Sequence, residues 1–312
     1  MGLLSNPLVI LGYHGIVDDH RDALDDFCFV DVNKLRADLK SVSELGWQLK
    51  GLREGMSELA EGKLSKPTVA ITFDDGFSSV LNRGKLVLEE FGVKATIFLP
   101  TRFVTNGRTL WFTDVISALK RTKLKEFVFL GRAFRIESYV ERVQVNRKIQ
   151  NFLRCLHPIA IDEMISELHS SLHLNVTDVK SEFAIMNLLD CERAMSSGVF
   201  DFGAHSASHA IHSQMDHAEL SREIDESLNM ISSLSLNCPL LYAYPNGRRQ
   251  DFSTRCEEIL ARNNVACALT TIPGWNFELR KRFQLKRFCI GRNTNISDVL
   301  SSLRWRFLGR LV

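Results

Sequence analysis

Three stretches of this 312-residue chain are apolar without interruption: LVILGY at 8–13, TVAITF at 68–73 and ATIFL at 95–99. A strand with one face in water alternates apolar and polar residues, whereas a strand covered on both faces reads as a continuous apolar run. Each run is four to eight residues long, the length of a strand and too short for a buried helix. The sequence between them supplies the covering helices. Segment 33–45 carries Leu35, Leu39 and Leu45 among charges and stops at Gly46, and segment 79–91 stops at Gly92. Strand, helix, strand in this order predicts parallel βαβ units. The pattern returns late in the chain, with strands expected at 199–204, 240–244, 265–271 and 284–290 and a long helix at 216–234. About seven parallel strands spread over the whole length predict one closed or nearly closed barrel, a single domain over 1–312. An open doubly wound sheet would call for a glycine-rich phosphate loop after an early strand, and the sequence has none.

The middle of the chain, about 105–190, is more charged and poorer in strands. It predicts a mostly helical insertion, with a hairpin over 126–136 turning at Gly131–Arg132 and amphipathic helices at 137–156 and 159–172. Such an insertion serves either as a substrate-facing cap or as packing alone. Balanced charge, 39 basic against 37 acidic residues, argues against a nucleic-acid or polyanion binder. The seven cysteines form no CxxC pair, which disfavours a zinc ribbon or a disulfide framework and fits a reducing compartment. With a short N-terminal apolar stretch broken by Asn6 and Pro7, the expected location is cytoplasmic. Segment 299–312 (VLSSLRWRFLGRLV) is apolar with three arginines; it either docks on the barrel or makes peripheral contact with the inner face of a membrane.

The polar residues that follow the apolar runs carry the chemistry. TFDDG sets Asp74 and Asp75 directly after a strand, where parallel α/β folds build their sites. Two adjacent carboxylates there repel each other unless a cation or hydrogen bonds hold them, although Asp-Gly is also a common turn pair. GAHSASH, also after a strand, spaces His205 and His209 four apart. On the first turn of a helix that spacing would put both rings on one face, within reach of one cation. One Asp and two His form a mixed oxygen–nitrogen set suited to Zn²⁺, with Co²⁺ or Ni²⁺ as alternatives, and such a cation lowers the pKa of water towards neutrality. The second carboxylate is then placed to take that water's proton. YAYPNG, at 242–247, shapes a tight loop that can aim a backbone N–H at a developing oxyanion. LGYHG places His14 on the same expected rim, while His212 and His217 read as bystanders.

These stretches together resemble the polysaccharide deacetylase superfamily, the NodB-homology carbohydrate esterases. The resemblance rests on TFDDG, on HSASH as an H-[ST]-x-x-H motif and on YAYPNG, and it runs from about Leu8 to about Arg292 with the insertion poorly covered. It implies a distorted (β/α) barrel, with Asp74 as general base, Asp75, His205 and His209 as metal ligands, Ser206 bracing the histidine loop and the Asn246 N–H as oxyanion donor. Tyr244, Pro245 and Ser206 are expected to meet substrate. Two departures are visible. The Arg that begins the usual third motif is missing, and Arg287 from a later strand is its candidate replacement. No His follows His217 to serve as general acid, but Tyr13-His14 is similar to the early Tyr-His of the permuted branch that includes poly-N-acetylglucosamine deacetylases, which assigns that role to His14. The expected function is removal of N-acetyl groups from an N-acetylated saccharide. Hydrolysis of another amide or of an O-acetyl ester, and a catalytically silent sugar-binding module, are the alternatives.

Overall fold

The computed structural model describes residues 6–17, 24, 29–174, 183–235 and 238–301. Its strands are β1 Leu8–Tyr13, β2 Gly15–Val17, β3 Phe29–Asp31, β4 Gln48–Leu49, β5 Thr68–Phe73, β6 Ala95–Leu99, β7 Glu126–Phe129, β8 Arg132–Arg135, β9 Phe200–Ala204, β10 Leu241–Ala243, β11 Cys267–Leu269 and β12 Phe288–Cys289. Its helices are α1 Val32–Glu44, α2 Leu52–Ala60, α3 Lys85–Glu90, α4 Thr101–Asn106, α5 Trp111–Arg121, α6 Tyr139–Leu153, α7 Pro158–Ser171, α8 Leu188–Ser196, α9 His217–Leu234 and α10 Thr254–Arg262. A π-helical turn at Val80–Gly84 precedes α3, so the helix expected at 79–91 is split in two.

Seven strands form one curled parallel sheet in the order β11-β10-β9-β6-β5-β1-β12, with β4 added beside β5. The sheet's ends meet through 285–289. Leu285 exchanges backbone hydrogen bonds with Ala268 and Thr270 next to β11, while Phe288 and Cys289 pair with Leu11 and Gly12 of β1. This is the nearly closed barrel the apolar runs predict and the distorted (β/α) barrel the resemblance implies, with β12 reduced to a two-residue strand.

The continuous runs bury both faces, as their composition requires. Val9, Leu11, Val69, Ile71 and Phe73 join the core shared with the helices, whereas Leu8, Ile10 and Ala70 join a second cluster with Phe98, Leu241 and Leu269. Even positions of β1 and β5 therefore face the barrel interior. Helix α2 adds Leu52, Met56 and Leu59 to that interior cluster and packs so closely that a Cβ on Gly55 would meet Leu8 at 2.8 Å. It plugs the end where the strands begin. Every main-sheet pairing is parallel, so the open end is the one at which all strands finish.

The insertion folds around its own core. Val115 and Leu119 of α5, Ile149 and Leu153 of α6, Ile165 and Leu168 of α7, and Phe127 and Phe129 of the β7–β8 hairpin form one cluster. The hairpin turns at Leu130–Gly131, both with positive φ, one residue earlier than expected. Among the described residues no helix is long and apolar enough to cross a membrane. Of the segment 299–312, residues from 302 onward lie outside the described residues; before it, Ile296 and Leu300 are buried in the main core.

Candidate active site

Each element delivers one polar group to the open rim. β5 continues for one more hydrogen bond, from Asp74 N–H to the Tyr13 carbonyl, and so keeps the Asp74 side chain on the interior side with Ala70 and Thr72. Strand alternation would send Asp75 outward after Phe73. Instead Asp75 adopts φ 68° and Gly76 φ 64°, which ends the strand and turns the second carboxylate back to the rim. In the same way His205 N–H bonds to the Leu99 carbonyl at the end of β9, after which Ser206 and His209 take φ 61° and 56°. The segment carrying HxxxH is therefore a loop, not the helical turn that its spacing suggested; the two left-handed residues fold it so that both rings converge. Asn246 has φ 57°. Four of the seven non-glycine residues with positive φ among the described residues thus belong to this site. Backbone held in that region costs free energy and persists where surrounding structure enforces it.

The two acids have different environments. Asp74 is clamped by Arg287 through two parallel hydrogen bonds of 2.6 Å, Nη1 to Oδ1 and Nη2 to Oδ2. Arg287 is fully buried, and its remaining donors reach the Thr270 carbonyl and the Thr72 hydroxyl, each at 3.3 Å. Burial would raise the Asp74 carboxyl, but the charge of Arg287, then that of His205, outweigh it and hold it below the usual carboxylate range. The clamp needs space beneath it. Gly12 provides it: an added Cβ would lie 2.9 Å from the Arg287 Cδ and 3.0 Å from its Nε.

Asp75 has no arginine. Its buried Oδ1 lies 3.1 Å from His209 Nε2 and 3.5 Å from His205 Nε2, yet makes no aligned hydrogen bond. Burial would raise this carboxyl too, and the nearby rings of His209 and His205, with the charge of His14, more than reverse it. His205 in turn is raised above its ordinary value: burial opposes the shift, and Asp74 and Asp75 overcome it. Both shifts mark a place that calls for positive charge. His205 Nδ1 stands 2.7 Å from the Ala243 carbonyl, which fixes Nδ1 as the N–H and leaves a lone pair on Nε2. Asp75, His205 and His209 present one donor atom each, all within 4.8 Å of one another and all from buried residues. Two donors about 2.1 Å from a tetrahedral cation stand about 3.4 Å from each other, close to the observed spacings. The three residues fit a divalent cation.

His14 Nε2 lies 4.0 Å from the other Asp75 oxygen, and its side chain is 20% exposed against 2% for Asp75 and His205, so it stands nearest to solvent. The β10 loop closes through Thr271, whose hydroxyl donates to the Asn246 carbonyl at 2.6 Å. The Asn246 N–H enters no hydrogen bond among the described residues. Tyr244 does not reach the rim. The Tyr244 ring is buried, stacks on Phe252 at 4.3 Å and donates its hydroxyl to the Phe283 carbonyl, so it supports the loop and is closed to substrate. Pro245 and Ser206 are buried as well. His212 is a buried neutral ring between the Tyr242 hydroxyl and the Ala210 carbonyl, its pKa pushed down to about 4 by burial, and His217 is an exposed residue at the start of α9.

Two groups next to the site carry no sequence motif. Glu223 of α9 is buried and accepts hydrogen bonds from both the N–H and the hydroxyl of Ser208, bracing the histidine loop from below. Phe112 of α5 rests against His209 with ring centroids 5.8 Å apart.

The family model described as polysaccharide deacetylase matches residues 61–266. No curated protein matches the sequence. Among solved structures, the Streptococcus pyogenes deacetylase PplD in complex with acetate aligns at TM-score 0.61 and 18% identity, over 95% of this chain and 97% of that one. IcaB from Ammonifex degensii aligns at TM-score 0.60 and 16% identity, over 96% and 97%. A de-N-acetylase from Aggregatibacter actinomycetemcomitans aligns at 0.58 and 12%, over 95% and 99%. At these identities the structural likeness establishes the shared fold.

Proposed function

The chain belongs to the polysaccharide deacetylase family, and from that premise we propose that it is a metal-dependent hydrolase that removes N-acetyl groups from an N-acetylhexosamine-containing glycan or glycan precursor. The observation that carries this reading is the division between two adjacent acids, one clamped by Arg287 and the other free among two histidine Nε2 atoms. A structural turn has no use for that division, whereas a hydrolytic site needs both a base and a ligand.

Asp75, His205 and His209 would hold the cation, with Zn²⁺ favoured by the donor set and Co²⁺ or Ni²⁺ also compatible. Bound there, the cation would polarise the acetyl carbonyl and make a water acidic enough to attack at neutral pH. Asp74 is ionised and oriented by Arg287, and in this reading it removes the proton from the attacking water. The unengaged N–H of Asn246 donates to the oxygen that gains charge as the tetrahedral intermediate forms. His14, the side chain nearest to solvent, gives a proton to the departing nitrogen. Glu223 keeps the histidine loop in register, and His205 is held in one tautomer by the Ala243 carbonyl. The neighbouring fold of a protein described as a de-N-acetylase supports amide over ester hydrolysis.

The test is acetate release from N-acetylglucosamine oligomers by the purified protein, run beside an O-acetylated glycan, before and after chelation and with Zn²⁺ or Co²⁺ restored. Release from the amide that chelation abolishes and cation restores is the expected result. Release from the ester alone would transfer the site to O-acetyl hydrolysis. No release from either, with cation present, would remove the catalytic reading.

A further inference from the structure

A second concavity, of about 160 Å³, opens beside the histidine loop and shares His209 as a wall. It is far larger than the roughly 30 Å³ share of one water, so it admits a ring-sized ligand. Its other walls come from α4 and from the insertion, which gives the insertion a face turned toward the site. Helix α5 begins with two aromatic residues that divide the work: Phe112 rests on His209, while Trp111 lines the concavity. Asp114, one turn further on, also lines it, with one carboxylate oxygen held by the Thr109 hydroxyl. At the exposed rim Arg108 grips Asp162 through two hydrogen bonds of 2.8 and 3.1 Å, and Asn106 adds an amide.

The chemistry of this lining narrows its ligand. Its two arginines, Arg102 and Arg108, are matched by two aspartates, Asp114 and Asp162, so the lining selects neither a polyanion nor a cation. An indole provides a flat apolar face, and carboxylates, a guanidinium fork and an amide provide planar donors and acceptors in fixed directions. A pyranose needs both: an aromatic surface under its C–H face and paired polar groups for its hydroxyls.

Resting on the deacetylase reading above, we propose that this cavity is a subsite for the sugar residue next to the acetylated one, with Trp111 as its platform and Asp114 as a hydroxyl partner. The insertion then sets a preference for chains over single sugars, because a chain can occupy the cation site and the cavity at once.

Two measurements on the full-length protein test this. The first compares kcat/KM for N-acetylglucosamine and its tetramer in the wild type, Trp111→Ala and Asp114→Asn, each checked for fold by circular dichroism. The tetramer should be preferred by the wild type, and each variant should lose at least fivefold of that preference, mainly through KM. The second follows intrinsic tryptophan fluorescence while the tetramer is added, which needs no turnover. Quenching is expected in the wild type and its loss in Trp111→Ala. Folded variants that keep the wild-type chain-length preference would overturn the subsite, as would absent quenching or quenching unchanged by Trp111→Ala. If no sugar yields acetate but the tetramer still quenches through Trp111, the deacetylase reading fails and the saccharide cavity stands.

Discussion

Arg287 and Asp74 are 213 positions apart in the chain, and a glycine in a third strand lets them meet. Breaking a buried ion pair leaves a charge without a partner, a loss of about 3–5 kcal/mol, so small displacements here are expensive. Gly12→Ala places a methyl 2.9 Å from the Arg287 Cδ, in the middle of a side chain whose head is fixed at two points. That variant should lose roughly 1–3 kcal/mol in thermal or urea unfolding, the usual cost of overpacking, and at least tenfold in acetate release. Wild-type turnover in Gly12→Ala would show that the clamp on Asp74 is dispensable. At this scale the sequence is partly readable. Paired acids after a strand and HxxxH after another announce themselves in combination, because Asp-Gly alone is also a common turn pair. Arg287 was visible only as a basic residue in a late strand, and Gly12 gave no signal, since its role is to leave room for a residue 275 positions later in a sequence of 312. Tyr244 is ambiguous for a related reason: a Tyr at a strand end can face solvent or core, and only the Phe252 ring stacked on it decides.

Among elements, the strands were the most legible, because a run buried on both faces admits few alternatives. The histidine loop was not. Four-residue spacing suits a helical turn, and nothing local states that Ser206 and His209 adopt left-handed backbone; the Glu223 brace that holds them comes from α9. The insertion is recognisable as helical and as either a substrate-facing cap or packing alone, but the residues that face the site are not, since Trp111 and Asp114 belong to no motif. Helix α5 carries a measurable electrostatic consequence. Burial pushes the Asp114 carboxyl from its ordinary 3.8 up to about 6, against the opposing Thr109 hydrogen bond and the charge of Arg108. A raised carboxyl binds its proton more tightly in the folded state. Its contribution to stability is therefore complete below the unfolded value and is lost as pH rises through about 6. A shift of this size corresponds to roughly 3 kcal/mol. Relative to the wild type, Asp114→Asn should gain about 2–3 kcal/mol between pH 4 and pH 7. A stability difference that stays constant between these two pH values would show that Asp114 ionises as freely in the fold as in water.

For the whole molecule, direction does the organising. Seven parallel strands finish at one end, α2 plugs the other, and every polar motif follows a strand, so groups scattered from His14 to Arg287 share one rim. That much follows from uninterrupted apolar runs and the polar residues after them, and the family match over 61–266 agrees with it. How the insertion packs on the rim does not follow, because its contacts are set by shape and not by period.

The proposed function gives two neighbouring acids separate tasks, with Asp75 to hold a cation and Asp74 to move a proton. The most direct measurement takes cation content and acetate release from the same preparation of Asp74→Asn. One Zn²⁺ or Co²⁺ per chain, as in the wild type, with acetate release lowered by a factor on the order of a thousand, is the result expected. Wild-type acetate release from Asp74→Asn, or loss of the cation with it, would contradict the assignment.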